Sequence, residues 1–460
     1  MLLHDKIFRA YDIRGEAFVD FDEDGFMAIA HGFGQYLRTK HKLEAPKVLV
    51  SGDGRQSMPQ LYPAIIDGLK GAGCDVVWGG AIPTPMNYFG FHHGDFDAAI
   101  QISASHNPAG DNGLKLTDRD GAVSGDEIQK IKDLARCADC RFGAENPGEC
   151  QDDCEKLDLN HDYLAKLRSV TPEQTGLKLV VDAGNAIPGM FYPEMLRVFG
   201  HEVKELFCDL NTTFPNHQPD PERPENLKFL KEEMLTGKHD LGIAYDGDGD
   251  RMGVILADGT MLSADKIIYV LVSDFLSRMP GATIILDAMS SQLLITKLEA
   301  KGAKVVLAQT GHSHIEHAMK DHDALFGGEQ SGHFMFGENF YGHDDALLAT
   351  LRFIQAIETN PELEIEVTTG WDELFEVSER MTVDDEKKFE IMDKIIVDLK
   401  EIFPESSTLD GIRIDFGNEE WAIIRCSNTS PKIALRLEAR NENSLKEKKT
   451  ILMDVLNKYH

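Results

Sequence analysis

Leu241-Gly-Ile-Ala-Tyr245, then Asp246-Gly-Asp248-Gly-Asp250-Arg251, then Met252-Gly-Val-Ile-Leu256 is the stretch on which the reading of this chain turns. Two short apolar runs predict buried strands, and the acids between them predict a loop at the carboxyl end of the first. In open α/β sheets, ligands gather at the carboxyl ends of strands. Carboxylates at alternate positions repel one another unless a cation sits among them. Hard divalent cations take oxygen ligands, and Mg²⁺ commonly keeps positions open for phosphate oxygens. Gly247 and Gly249 let backbone approach a ligand closely. The loop is thus predicted to handle a phosphate through a metal. An EF-hand would need Gly and Glu where Arg251 and Ala257 stand, whereas a solvated acidic turn stays open as a bland alternative.

Working outward, the same kind of unit is met three times. Lys47 to Ser51 reads as a strand, followed by a loop with Asp53 and Arg55, a helix from Met58 to Lys70 and a strand near Asp75 to Trp78. Lys178 to Asp182 begins the pattern again, with a helix at about Gly189 to Phe199 and a strand at about His201 to Phe207. Thr283 to Asp287 begins it a third time, with a helix near Gln292 to Lys301 and a strand at Lys304 to Ala308. Each unit adds a short strand that opens onto an unusual loop. Asp97 to Ile102 leads into Ser103-Ala104-Ser105-His106-Asn107-Pro108, Leu241 to Tyr245 into the aspartates, and Ala324 to Gly328 into Glu329-Gln330-Ser331-Gly332-His333. Three equivalent loops are expected to face one cleft.

From about Val367 the pattern changes. A helix near Lys387 to Ile402, strands near Gly411 to Asp415, Trp421 to Cys426 and Ile433 to Ala439, and a last helix from Leu445 predict a small α+β domain. Its loop Arg425-Cys426-Ser427-Asn428-Thr429-Ser430-Pro431 is dense in donors of the kind that suit a phosphate, though a plain polar turn reads similarly. The fold class is therefore α/β: three similar α/β domains with mixed sheets, followed by a smaller α+β domain, around a central cleft. The expected bounds are 1–150, 151–257, 258–366 and 367–460.

At 460 residues a single core is not expected. The net charge of -31 argues against nucleic acid and anionic membrane as partners, so an anionic ligand must find a local basic pocket. No apolar run is long enough to span a bilayer, and Met1 to Arg9 does not read as a signal peptide. Seven cysteines suit reduced thiols and a cytoplasmic setting. Cys137, Cys140, Cys150 and Cys154 form a possible zinc cluster, with free thiols as the alternative.

Ser105 lies just past a strand end, in a turn stiffened by Pro108. No GxSxG elbow supports acyl transfer. With a metal loop in the same chain, phosphoryl transfer to and from Ser105 is the better reading, and an ordinary Ser-rich loop the plainer one.

The hexapeptide Ser103 to Pro108, Asn112-Gly113-Leu114-Lys115, Asp246 to Arg251, Gly328 to His333 and Arg425 to Pro431 resemble, in order, the motifs of the α-D-phosphohexomutases; Phe8 to Gly15 resembles that family's N-terminal signature. The resemblance spans nearly the whole chain. It implies a four-domain enzyme that moves a phosphoryl group between the C1 and C6 oxygens of a hexose, with Ser105 carrying the group and Mg²⁺ held by that phosphoserine, Asp246, Asp248 and Asp250. It also implies a hexose 1,6-bisphosphate as intermediate and activator.

On that reading Arg251 positions the reacting phosphate. Lys115 is a general acid/base or a phosphate ligand, and His106 shares the proton work or orients the loop. Arg425, Ser427, Asn428 and Thr429 are expected on the remote phosphate, Tyr11 and Arg14 at the cleft, and Glu329, Ser331 and His312 on the sugar. Two features depart from the mannose/glucose branch: Gln330 resembles the phosphoglucosamine mutases, and Met289 stands where a basic residue is expected. The partners are small hexose phosphates of mannose and/or glucose, with a monomer or weak oligomer expected. Phosphoglucosamine mutase is the alternative. A haloacid-dehalogenase-type sugar phosphatase with Asp246 as nucleophile, and a non-catalytic sugar-phosphate sensor, remain as further ones.

Overall fold

The computed structural model describes residues 1–137, 154–172, 174–371, 374–384, 387–427 and 432–459. The chain packs as two compact units, Met1–Leu262 with Ser331–Glu358, and Ser263–Gln330 with Thr359–His460.

In the first unit, one mixed sheet has the order Ile13–Glu16, Asp111–Asp118, Ala98–Ile102, Lys47–Gly52, Asp75–Ala81, Glu155–Lys156. Its central strands are parallel, and Asp111–Asp118 returns antiparallel to Ala98–Ile102. The helix Glu23–His41 starts where Asp22 accepts the Gly25 N–H at 2.8 Å. It buries Ile29, Phe33 and Leu37 completely, each worth roughly 1.5–3 kcal/mol. A second mixed sheet has the order Met261–Leu262, Met252–Leu256, Leu241–Tyr245, Lys178–Asp182, Glu202–Leu206. The predicted strands around the aspartates are therefore an antiparallel pair, Tyr245 opposite Met252, every residue of both buried.

In the second unit, Lys304–Ala308, Thr283–Asp287 and Phe326–Gly328 run parallel in that order. A separate antiparallel sheet follows, ordered Phe375–Thr382, Lys432–Ala439, Glu420–Cys426, Ile412–Gly417. The helices Lys388–Ile402 and Glu442–Leu456 close its core through Ile395, Leu399, Leu452 and Val455. Mixed α/β sheets and a terminal α+β domain are thus present as expected. Phe375–Thr382 was not anticipated: Phe375, Val377 and Met381 alternate, but Glu379 interrupts the apolar face and only Met381 is buried.

Register decides where the chemistry collects. Gly52 pairs beside Ile102, Ala244 beside Asp182, and Leu286 beside Gly328. In each α/β unit an aspartate at the end of the first strand, Asp53, Asp182 or Asp287, therefore lies next to the end of the strand that feeds the unusual loop. Among the described residues no helix is long and apolar enough to cross a membrane. Cys137 is exposed and Cys154 buried, both free thiols; Cys140 and Cys150 of the zinc expectation lie outside the described residues.

Candidate active site

Ser105 is fully buried and sits at φ 50°, a left-handed conformation uncommon for a serine. Its surroundings fix it there. Its N–H donates to Ser103 Oγ at 2.8 Å. Arg55, itself 1% exposed, donates to the carbonyl oxygens of Ser105 (2.6 Å), Asn107 (2.9 Å), Pro108 (2.7 Å) and Asp111 (2.8 Å), while its Nε pairs with Asp53 at 3.0 Å. One guanidinium thus holds the loop by its carbonyls. Ser103 Oγ lies 2.8 Å from Asp53 Oδ2 and 3.0 Å from Asp248 Oδ2, which brings the aspartate loop alongside.

The two loops meet. Ser105 Oγ donates to Asp246 Oδ2 at 2.6 Å and lies 3.2 Å from His106 Nδ1. Gly247 is required at this approach, because a Cβ there would collide with the Ser105 carbonyl oxygen. Asp246 Oδ1 accepts the N–H groups of Gly249, Asp250 and Arg251, each at 3.1 Å, so the loop wraps its own first carboxylate. Asp248 Oδ2 accepts Thr84 Oγ1 at 2.6 Å and Lys115 Nζ at 2.8 Å, and Lys115 also pairs with Asp250.

Asp246, Asp248 and Asp250 are all fully buried, with one oxygen of each within 4.8 Å of the others. Among the described residues no hydrogen-bond donor satisfies Asp248 Oδ1. A buried carboxylate oxygen left so is costly. Three carboxylates against Lys115 and Arg251 leave negative charge to spare, and burial together with Asp250 and Asp248 pushes the Asp246 carboxyl well above its usual range. The donor set fits a hard divalent cation.

Lys115 lies between two of these carboxylates. Burial disfavours its charge, but Asp248 and Asp250 outweigh that and raise its pKa well above the ordinary value. Its ammonium is thereby favoured as a charge partner of the two aspartates. The half-buried His106 is the opposite: burial and the guanidinium groups of Arg251 and Arg14 push its pKa well below the usual value, which favours the neutral ring. Arg14 pairs with Asp12 at 2.6 Å and reaches the Ala104 carbonyl at 3.5 Å, and Tyr11 is half-buried beside this pair. Arg251 Nε donates to His333 Nε2 at 3.2 Å. Ser331 Oγ lies 3.0 Å from the other nitrogen of that ring.

In the second unit Glu329 is 1% exposed and its Oε1 accepts the Gly311 N–H at 2.6 Å. His312 follows as the first residue of the helix His312–Asp321 and is buried. Arg425, at the end of its strand, donates from Nε to Asp410 Oδ2 at 2.8 Å. Ser427 is held at both ends of its peptide unit, its N–H on the Lys432 carbonyl (2.8 Å) and its carbonyl on Lys388 Nζ (3.0 Å). Asn428 and Thr429 lie outside the described residues. Met289 packs against the buried cluster of Ala288, Trp421 and Ile423, an apolar contact that suits methionine better than a cation.

Models of one family match four consecutive parts of the chain. Phosphoglucomutase/phosphomannomutase alpha/beta/alpha domains I, II and III match residues 5–139, 161–259 and 263–372, and the C-terminal domain matches 379–455. The chain belongs to the phosphoglucomutase/phosphomannomutase family. It is an isomerase, a phosphohexomutase. The phosphomannomutase/phosphoglucomutase of Pseudomonas aeruginosa is 33% identical over 452 residues, covering 98% of this chain and 95% of that protein. The phosphoglucomutase of Neisseria gonorrhoeae is 32% identical, covering 95% and 94%. A crystal structure of a phosphoglucomutase/phosphomannomutase family protein from Burkholderia thailandensis is 32% identical, with a TM-score of 0.88 over 99% of this chain and 98% of that one.

Several groups at this candidate site were not singled out from sequence. Arg55, Ser103 and Thr84 act through hydrogen bonds that only the fold brings together. His333 and Asp344 are buried, with His333 Nε2 at 3.3 Å from Asp250 Oδ1 and 3.7 Å from Asp344 Oδ2. Burial and Asp250 push the Asp344 carboxyl up to about 8. His333 closes a motif that had been quoted, and the Gly342-His343-Asp344-Asp345 run was the signal for its partner.

Proposed function

We propose that this enzyme interconverts hexose 6-phosphate and hexose 1-phosphate, with mannose and/or glucose as the sugar, through a phosphoserine at Ser105 and a hexose 1,6-bisphosphate that also serves as activator. The observation that carries this reading is the 2.6 Å approach of Ser105 Oγ to Asp246 Oδ2. Asp246, Asp248, Asp250 and the phosphorylated Ser105 would hold Mg²⁺. When bound, the ion supplies charge neutralisation to the phosphoryl oxygens.

The chain's own groups do the rest. As the bond between phosphorus and Ser105 Oγ breaks, the new bond forms to the sugar hydroxyl. That hydroxyl gives up its proton and Ser105 Oγ, the departing oxygen, gains one; His106 Nδ1, 3.2 Å from Oγ, is placed to share this proton transfer. Lys115 and Arg251 balance charge and hold the reacting phosphate. Arg425 and Ser427, with Asn428 and Thr429, take the remote phosphate. Tyr11 and Arg14 line the approach, and Glu329, Ser331 and His312 read the sugar. Asp246 is poorly placed as a phosphatase nucleophile, since both its oxygens are engaged. We further propose four domains at 1–150, 151–257, 258–366 and 367–460, a cytoplasmic setting and a monomer or weak oligomer.

The test is turnover of glucose, mannose and glucosamine 1-phosphates with a trace of glucose 1,6-bisphosphate, alongside mass mapping of the phosphopeptide. Turnover of the first two with phosphate on Ser105 is expected. A preference for glucosamine 1-phosphate would move the chain to that branch, and phosphate on Asp246 would overturn the mechanism.

A further inference from the structure

Within the second unit, one carboxylate joins two loops that the proposed function assigns to different parts of the substrate. Asp410 Oδ2 accepts Arg425 Nε at 2.8 Å and the backbone N–H of Thr310 at 3.2 Å. The neighbouring Leu409 carbonyl accepts Gln309 Nε2 at 2.9 Å, so residues 309–310 lie against 409–410 through two separate bonds. On its other side the same segment reaches the sugar-reading group. Thr310 Oγ1 lies 3.4 Å from Asp287 Oδ2, and the Gly311 N–H donates to Glu329 Oε1 at 2.6 Å. A continuous run of contacts thus leads from Glu329 through residues 310–311 and Asp410 to Arg425.

The backbone around Asp410 is shaped for this. Gly411 has φ 70°, and a Cβ there would stand 2.8 Å from Arg425 Cα, so only glycine lets the turn lie flat against the strand end that bears the arginine. The Asp410 and Arg425 side chains are 16% and 12% exposed, protected enough for a charge-assisted bond to hold. An arginine pinned through Nε presents its Nη pair as a fork, the geometry that grips a phosphate.

We propose that Asp410 is a positioning residue: it sets the guanidinium of Arg425 for the remote phosphate and, through Thr310, ties that setting to the loop that reads the sugar. This rests on Arg425 and Glu329 having the roles given above. Asp410 touches no substrate, so its removal weakens ground-state and transition-state binding alike and shows in KM rather than kcat.

The experiment compares wild type, Asp410→Asn, Asp410→Glu, Arg425→Lys and the double variant Asp410→Asn/Arg425→Lys. It measures steady-state kinetics on glucose 1-phosphate, calorimetric binding of glucose 6-phosphate, and a thermal melt. Expected for Asp410→Asn is a KM raised about tenfold and binding weakened equally, kcat within about threefold and the melt little moved. Asp410→Glu should recover at least part of the KM. In the Arg425→Lys background the Asn change should add less than about twofold, because it acts through the group already altered. An unchanged KM, a fall in kcat at constant KM, or full additivity would overturn the proposal. Binding by wild type without turnover would defeat the proposed function and leave Asp410 to be judged on the calorimetry. Absence of binding would defeat both.

Discussion

The loop that carries Ser105 and the loop that carries Glu329 leave equivalent strand ends, yet they are braced by opposite charges. Beneath the first, Arg55 collects carbonyl oxygens of Ser105, Asn107 and Pro108. Beneath the second, Asp287 collects donors: Ser290 Oγ at 2.7 Å, the Gln330 N–H at 3.3 Å and Thr310 Oγ1 at 3.4 Å. In a trans peptide the C=O and N–H point in opposite directions. A loop held by its carbonyls turns donors such as the His106 N–H the other way, which suits an anionic phosphoryl group. A loop held by its N–H leaves acceptors such as Glu329, which suits sugar hydroxyls. The brace is thus matched to the ligand each loop is proposed to meet.

The comparison breaks most visibly if the hydroxyl is removed. Ser105→Ala should lower turnover at least about a thousandfold, with far-UV circular dichroism and melting close to wild type. Retained activity would mean the first loop carries nothing. Next, Arg55→Met withdraws the cation and leaves Asp53 and the loop carbonyls buried without it. Loss of one partner of a buried pair costs about 3–5 kcal/mol, to be read from urea unfolding, and turnover should fall with it. A loss below about 1 kcal/mol would show that the loop holds its shape unaided. Asp248→Asn is smaller: it keeps the shape and removes one charge, so the midpoint of the Mg²⁺ titration should rise about tenfold. An unmoved midpoint would take Asp248 out of the metal site.

How far this was legible in the chain follows the same contrast. Asp246, Asp248 and Asp250 are adjacent in sequence and carry their meaning in their spacing, and the strands on either side alternate or run apolar as burial demands. Ser105 was legible because a strand end, a stiff turn and neighbouring motifs coincide. The braces were not. Arg55 and Ser103, like Asp287 and Glu329, are separated by most of an α/β unit, so only sheet register brings each pair together. Lys115 was read from its motif as a general acid/base or a phosphate ligand. Its pairing with Asp248 and Asp250 comes from the neighbouring sheet, which sequence spacing does not encode. The edge strand Phe375–Thr382 escaped because Glu379 breaks its apolar face and only Met381 is buried.

The finest test of the contrast lies in the second brace. Asp53 is paired directly with the Arg55 guanidinium, whereas the hydrogen bonds to Asp287 come from neutral donors, with the charges of Glu329 and Arg413 nearby. Burial and Glu329 push the Asp287 carboxyl from the ordinary 3.8 up to about 7. A folded-state pKa above the unfolded one means that the folded chain binds this proton more tightly. The resulting stability is complete below about pH 4 and is lost as pH rises toward and through 7. Asp287→Asn removes the titration while keeping an oxygen for Gln330. Between pH 4 and 7 the stability of the variant should therefore gain on that of wild type, by about 2–4 kcal/mol across the window, measured by urea unfolding at fixed pH values. Above pH 8 the two curves should run parallel. Curves already parallel below pH 7 would mean that Asp287 is ionised throughout, and that the second loop is braced by a full charge just as the first is.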